Sequence, residues 1–462
     1  MMKFTKLFII ALGASMSFTA CDNMGFLEIK PDNLVLTKDT VTSPEHLQKF
    51  MVDAYSSVRS TGFMGGEMFV AQDVLAGDGA TLKGEFNWSQ ILSYSMNLFN
   101  EVGRHAWDET YSCINKANFA AFSSTADGIL AKADPAVKTQ LEADACFIRG
   151  LGFFHLVRIF GLPYDETTKD VDQMGIPLRK RGTASMNDAF VTVQRSSVGV
   201  TYEQIVSDLK FAAANLPANR TWDCGFATRD IANAVLAKVY FFMGNMEEAE
   251  KAAALVIDKY DLDTDPTAKF ARASKGTATQ EVIFMIPSTG KSNDSWGAIK
   301  GMYRTDDPAK GDAQWMASND LFEQFAADDK RGEIFYMTKD GIHYTTKFDY
   351  DNMDCIIMGE NELLLIYAEA AAKINLSKAI ASLQKIEQRA YGSVKTSNQA
   401  SAATVIANAQ KERRLELALQ GERLYEMKRL HMKVKSYDWN SNRLLFQIPD
   451  SEQNGNPDIK LN

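Results

Sequence analysis

Past residue 40, hydrophobic positions recur mostly with the period of a helix. Leu47, Met51, Ala54, Tyr55 and Val58 share one face of the stretch from Pro44 to Ser60, and Ser43 before Pro44 is a fitting cap. The same spacing predicts helices over residues 100–122 and 136–160, the second set between Pro135 and Gly161. A further helix over 201–216 takes Thr201 as its N-cap and stops at Pro217. Residues 227–242 and 246–259 read as a helical hairpin turning at Gly244-Asn245, and residues 361–374 and 377–391 as another turning at Asn375. Residues 402–431 close the helical part, divided near Gly421. Three stretches rich in Gly, Asn and Asp interrupt the pattern, about 62–98, 161–199 and 261–355, with short β-like runs such as Glu281-Val-Ile-Phe-Met-Ile286. Loops of that length inside a compact chain are usually functional. The fold class is therefore mostly α with little β.

The first twenty residues depart from this pattern. Lys3 and Lys6 precede an uncharged run from Leu7 to Ala20, which ends Ser17-Phe18-Thr19-Ala20-Cys21. A basic start and an apolar run of this length read as a secretory signal. The run is too short to span a bilayer as a helix, which takes about 20 apolar residues. A Cys directly after the small residues resembles a bacterial lipobox, with residues 1–20 as lipoprotein signal peptide and Cys21 as the lipid-attachment residue. Acyl burial would then anchor the chain at about 0.8 kcal/mol per CH₂.

Composition narrows the class further. The 462 residues are 45% hydrophobic and 24% charged, which excludes a disordered tail protein and a multispan helical membrane protein. The formal charge of −9 becomes −11 once residues 1–20, with Lys3 and Lys6, are removed. No basic block accompanies it, and neutralising phosphates needs clustered Lys and Arg, so no nucleic-acid partner is expected. The five Cys and five His show neither C-x-x-C nor H-x-x-x-H spacing, so no metal and no cofactor is expected. Cys113 and Cys146 fall in apolar helical stretches, where free Cys behaves as a small hydrophobe. Sequence alone does not pair the cysteines.

The hairpin at 234–256 carries Leu236, Ala237, Tyr240, Gly244 and Ala249 at the spacing of a tetratricopeptide repeat. Small Ala237 and Ala249 let two helices approach, Tyr240 fills between them, and Gly244 ends the first. Tyr367, Ala370 and Ala379 repeat the idea more loosely. Such repeats form scaffolds with concave surfaces, which suits binding more than chemistry.

Several segments in order resemble the SusD/RagB family of outer-membrane lipoproteins. They are Phe26–Asp32 near the mature start, the helix Ala143–Gly161, Ser196–Pro217, the hairpin from Ala234 to Ala249, Leu363–Ala371, Glu412–Arg429, and the tail Leu445–Glu452 followed by Asn456-Pro457. Tyr425 stands where the family usually has Trp, and Pro163-Tyr164 keeps only a trace of the family's proline-rich exit. The resemblance implies one SusD-like domain over 21–462, a helical repeat scaffold (about 40–60, 100–160, 200–260 and 360–431) with ligand-binding insertions at the three loop-rich stretches. It implies an outer-membrane lipoprotein, lipid-anchored and facing the cell exterior, that captures an oligosaccharide or glycan. It implies a partner, a SusC-like TonB-dependent β-barrel transporter, and no catalysis. A RagB-like peptide binder is the nearest alternative, and a secreted glycoside hydrolase a more distant one.

Sugars present flat C–H faces and many hydroxyls, so their sites combine aromatic platforms with planar polar groups. Of six Trp, Trp88 lies in the loop Glu85–Gln90 with Asn87 beside it, and Trp296 in Lys291–Gly297 with Asn293 close by; Tyr303 and Arg304 follow. In relatives, loops from these regions form the glycan site, so the resemblance points to Trp88, Asn87, Trp296, Asn293, Tyr303 and Arg304 as ligand-binding residues. The opposing reading is that each aromatic packs its loop onto the scaffold. Trp107, Tyr111 and Asn118 follow helical spacing and read as core; Trp315 and Trp439 read as structural. Asp261-x-Asp263-x-Asp265 starts like a calcium loop, but Pro266 and Arg272 occupy the positions that need Gly and Glu. Glu412, Glu416, Glu422 and Glu426 share helices with Arg413, Arg414, Arg423 and Arg429, and read as ion-paired helix faces rather than catalytic acids. No G-x-S-x-G, P-loop or H-E-x-x-H occurs.

Overall fold

The computed structural model describes residues 40–81, 86–220, 225–288, 297–303 and 315–462. Cys21 and the signal sequence therefore lie outside the described residues. Helices make up 54% of the described residues and strands 7%, so the helical period of the sequence is the dominant order.

The helices that build the stack and its sheet pole are α1 (Pro44–Ser57), α2 (Glu67–Ala76), α3 (Phe86–Leu92), α4 (Glu101–Phe122), α5 (Pro135–Phe160), α6 (Val198–Asn215), α7 (Arg229–Phe242) and α8 (Met246–Ala254), then α9 (Gly297–Tyr303), α10 (Glu360–Ala371), α11 (Leu376–Tyr391), α12 (Ala402–Glu416) and α13 (Arg423–Arg429). Excepting short α2, α3, α9 and α13, each packs on the next: α1 on α4, then α5, α6, α7, α8, α10, and finally α11 and α12. The order is that of stacked antiparallel hairpins, which bury one continuous core.

Helix α5 is the axis of this stack. Every residue from Ala143 to Phe160 is buried, the signature of a helix covered on all sides. Gly150 and Gly152 allow the close approach: a Cβ there would sit 2.9 Å from Leu209 of α6 and 2.8 Å from Ile114 of α4. The α7–α8 hairpin has the packing its repeat spacing predicts. Ala237 and Ala249 are fully buried and Tyr240 nearly so. Gly244 adopts φ +72°, and the Asn245 side chain accepts the Glu248 N–H at 3.2 Å as N-cap. One boundary moves. The sixth helix begins at Val198 with Ser197 as cap, and Thr201 turns its hydroxyl back onto the Ser197 carbonyl at 2.9 Å. Gly421, at φ +75°, separates α12 from α13.

The interrupting stretches are more ordered than their composition suggests. Residues 62–98 carry α2 and α3. Short strands β1 (Gly79–Thr81), β3 (Trp315–Ala317), β4 (Tyr336–Lys339) and β5 (Ile342–Thr345) form an antiparallel sheet in the order β1-β3-β5-β4. Gly79 faces Ala317 and Thr81 faces Trp315, so the first and third insertions share one sheet. Strands β2 (Val282–Ile286) and β6 (Cys355–Gly359) pair separately, with all of β2 buried.

Buried ions fasten this sheet to the repeats. Arg331, 2% exposed, donates to Asp329 (2.8 and 2.9 Å), Glu412 (2.5 Å), Glu416 (3.2 Å) and the Tyr391 hydroxyl (3.3 Å). Arg389 holds Glu416 and Glu281 at 2.5 Å each. Glu422 accepts from Lys238 at 2.9 Å and faces Arg158 and Arg413. Burial alone would raise the Glu422 carboxyl, but these three cations hold it down at about 2. The glutamates of 412–426 are thus not ion-paired along exposed helix faces as the sequence spacing suggests. Only the Glu426–Arg429 pair at 2.7 Å follows helical spacing; the others reach across elements in the interior.

Candidate ligand-binding surfaces

Helix α2 organises the pole that holds Trp88 and Tyr303. Its Asp73 is fully buried; Oδ1 accepts the Gly421 N–H at 3.0 Å and Oδ2 the Tyr303 hydroxyl at 3.2 Å. Burial, with the neighbouring Asp78 charge, pushes the Asp73 carboxyl well above the ordinary carboxylate range. Asp78 in turn accepts from Arg414 at 2.6 Å. The Ile299 N–H bonds the Gly65 carbonyl at 3.3 Å, which seats α9 on the start of α2.

The structure therefore brings Trp88 and Tyr303 to one pole, but not as ligand platforms. Trp88 lies on α3, is 4% exposed, and tilts against Trp315 with ring centroids 4.7 Å apart. Tyr303 is 0% exposed and stacks on Phe348 at 5.6 Å. Both rings are spent on the core, as the opposing reading held, because the β1–β3 pairing and α9 close over them. Asn87 is half-buried, donates to Glu101 at 3.1 Å, and offers its carbonyl to Asn100, the cap of α4. Asn293, Trp296 and Arg304 lie outside the described residues.

A second surface is an open cleft of about 610 Å³ between α4 and residues 178–193, with Glu452 at its floor. Trp107 and Asn118 are buried, as their spacing predicts, and Tyr111 of the same helix is only partly covered; all three border the cleft. The Tyr111 hydroxyl donates to the Pro177 carbonyl at 2.7 Å. Arg179 donates to the Val191 carbonyl at 3.1 Å and to Glu452 at 3.2 Å, and Trp107 Nε1 donates to the other Glu452 oxygen at 3.3 Å. No sequence motif marks Arg179, and Glu452 stands at the end of the tail motif Leu445–Glu452 with nothing to single it out. The available signal was the run Phe190-Val191 beside Met186, apolar residues set in an otherwise polar loop.

The remaining candidate chemistry is committed to structure. Cys113, Cys146 and Cys355 are buried free thiols; burial pushes the first two up to about 12. Asp263 accepts from Thr279 and from the Gln280 N–H, and Asp265 caps Thr267, so the aspartates of that loop serve turns. Among the described residues no group of three His, Cys, Asp or Glu side chains is placed to hold a metal ion. Trp439 stacks on His431 at 4.0 Å.

Two family models match the chain. A SusD-like model described as "Starch-binding associating with outer membrane" covers residues 25–241, and one described as "SusD family" covers residues 326–461. The SusD-like protein P2 of Formosa agariphila is 24% identical over 94% of this chain and 91% of its own length. Among solved structures, a SusD superfamily protein of Bacteroides thetaiotaomicron aligns with TM-score 0.77 at 22% identity, covering 91% of this chain and all of that one. A laminarin-binding SusD-like protein aligns with TM-score 0.74 at 19% identity, covering 91% and 99%. The helical stack, its repeat hairpin and the ordered motifs from Phe26 to Pro457 have one common source: the chain belongs to the SusD/RagB family.

Proposed function

We propose that the protein is a non-catalytic cell-surface lipoprotein, anchored through Cys21, that captures an oligosaccharide and delivers it to a SusC-like TonB-dependent transporter. The observation that carries the reading is the convergence of the first and third insertions on one pole. They share the β1–β3 pair, and α9 sits on α2. Rigid helices hold that pole, and binding loops on a rigid scaffold are the usual arrangement for recognition. The description of the first family model and the laminarin-binding neighbour favour a glycan over a peptide. Ligand contact is assigned to Asn293, Trp296 and Arg304, while Trp88 and Tyr303 are packed within the sheet pole.

Calorimetric titration of the mature protein with laminarin, starch and mannan oligosaccharides, and with a peptide pool, tests the reading. Heat with a saccharide that is lost in Trp296→Ala supports it. Heat with peptides alone replaces it with the RagB-like alternative. Purification from native membranes should recover a β-barrel transporter with the protein, and Cys21→Ser should abolish acyl labelling.

A further inference from the structure

We propose that the cleft between α4 and residues 178–193 is a second ligand site, shaped for an uncharged oligosaccharide, with Phe190 as its aromatic platform. The assignment of ligand class rests on the nutrient-capture reading above; the site itself rests on geometry. The cleft shares no lining residue with the Trp88–Trp315 pole. Its volume of about 610 Å³ falls within the ~300–1,000 Å³ of small-molecule sites.

Its charges cancel. Arg179, Lys180 and Arg181 face Asp108, Asp188 and Glu452 around the lining. Arg179 pairs with Glu452, and Arg181 with Asp127 just outside. A site with no net charge attracts neither an anion nor a cation over a neutral polyol. Its polar groups are also fixed beforehand. Arg179 is clamped at both ends of its guanidinium, and the Asn115 Oδ1 accepts the Thr183 N–H at 2.9 Å. Donors and acceptors already held in place cost little ordering when a ligand arrives. Sugar hydroxyls take such groups, and sugar C–H faces take the apolar wall of Ile114, Leu178 and Val193 and the ring of Tyr111.

An exposed ring adjoins the lining. Phe190 is 76% exposed and sits between the lining residues Ala189 and Val191; Met186 is 72% exposed and Val191 56%. Three large apolar side chains within six residues form a group that water solvates poorly, unlike a single exposed apolar residue, and such groups mark interaction sites. Trp88 and Tyr303 are spent on packing, whereas the Phe190 ring is exposed.

Hydrogen-exchange mass spectrometry on the mature protein, with laminarihexaose, maltoheptaose and mannohexaose as probes and a peptide pool beside them, tests the site. We expect one saccharide to protect residues 107–118 and 178–193. Phe190→Ala should weaken that binding at least tenfold without changing the melting temperature, since the ring is exposed. Ser112→Trp, at an exposed lining position on α4, should fill the cleft and abolish the protection. Protection around residues 79–92 alone would overturn the second site and leave the capture reading standing. Protection by no saccharide anywhere would overturn both. Protection of the cleft by peptides but not saccharides would overturn the ligand class.

Discussion

Replacing Arg331 by Met tests whether buried ions hold the sheet on the repeats. The guanidinium lies between three carboxylates, those of Asp329, Glu412 and Glu416, all at most 4% exposed. Met keeps most of the volume and removes the charge. Asp329 then retains the Arg331 backbone N–H at 3.0 Å, Glu412 the Tyr391 hydroxyl at 2.8 Å, and Glu416 the Arg389 guanidinium. Asp329 and Glu412 lose the one cation paired with each among the described residues, and breaking a buried pair from one side costs about 3–5 kcal/mol. At roughly 2 °C per kcal/mol, the low end for domains of 150–250 residues, the melting temperature should fall by about 6–10 °C. Guanidinium denaturation should show a lower midpoint at an unchanged slope. The pH dependence gives a second readout. Burial pushes the Glu416 carboxyl up, but Arg389 and Arg331 outweigh it and hold the group well below its ordinary value. Such a group stabilises the fold above its unfolded value of about 4.3, and the stabilisation is lost as pH falls below that. Without Arg331 that share shrinks, so variant and wild type should converge toward acid. Adding Glu412→Gln should recover part of the loss at neutral pH. A loss below about 1 kcal/mol, or a gain from the single substitution, would refute the view that these charges depend on Arg331.

Other perturbations separate packing from binding. Trp88→Ala should cost about 3–5 kcal/mol because the ring is buried against Trp315; a calorimetric melt at wild-type temperature would return that ring to the ligand surface. Gly421→Ala should cost more than about 1 kcal/mol, since φ is +75° and a Cβ would lie 2.6 Å from Phe69 Cα; an unchanged denaturation midpoint would contradict that backbone path. Burial pushes the Lys428 ammonium down to about 7, where it donates to the Leu444 carbonyl at 2.9 Å. The unfolded chain then binds the extra proton between pH 7 and about 10, so stability rises with pH there, by up to about 1.4 kcal/mol per unit. Lys428→Met should flatten that rise, and equal slopes in denaturation midpoint against pH would show the ammonium to be solvated.

The sequence by itself determined the repeats. Periodic apolar positions, Pro135 before α5, and Gly244-Asn245 between α7 and α8 act over one or two turns, so local spacing suffices to specify them. The ordered motifs added the family, which the comparisons bear out. Only the tertiary structure decided the character of the sheet pole. Strands of three and four residues carry too few positions to show alternation, so the β1-β3-β5-β4 sheet was invisible until its distant segments paired. The fate of Trp88 followed from that pairing: Trp315 covers it, although its neighbours Asn87 and Gln90 look like those of an exposed loop. The glutamates of 412–426 show the same division. Their spacing fits helix-face pairing, but burial fixes which cation each one meets, because a charge inside the protein needs whichever counter-ion the fold brings to it.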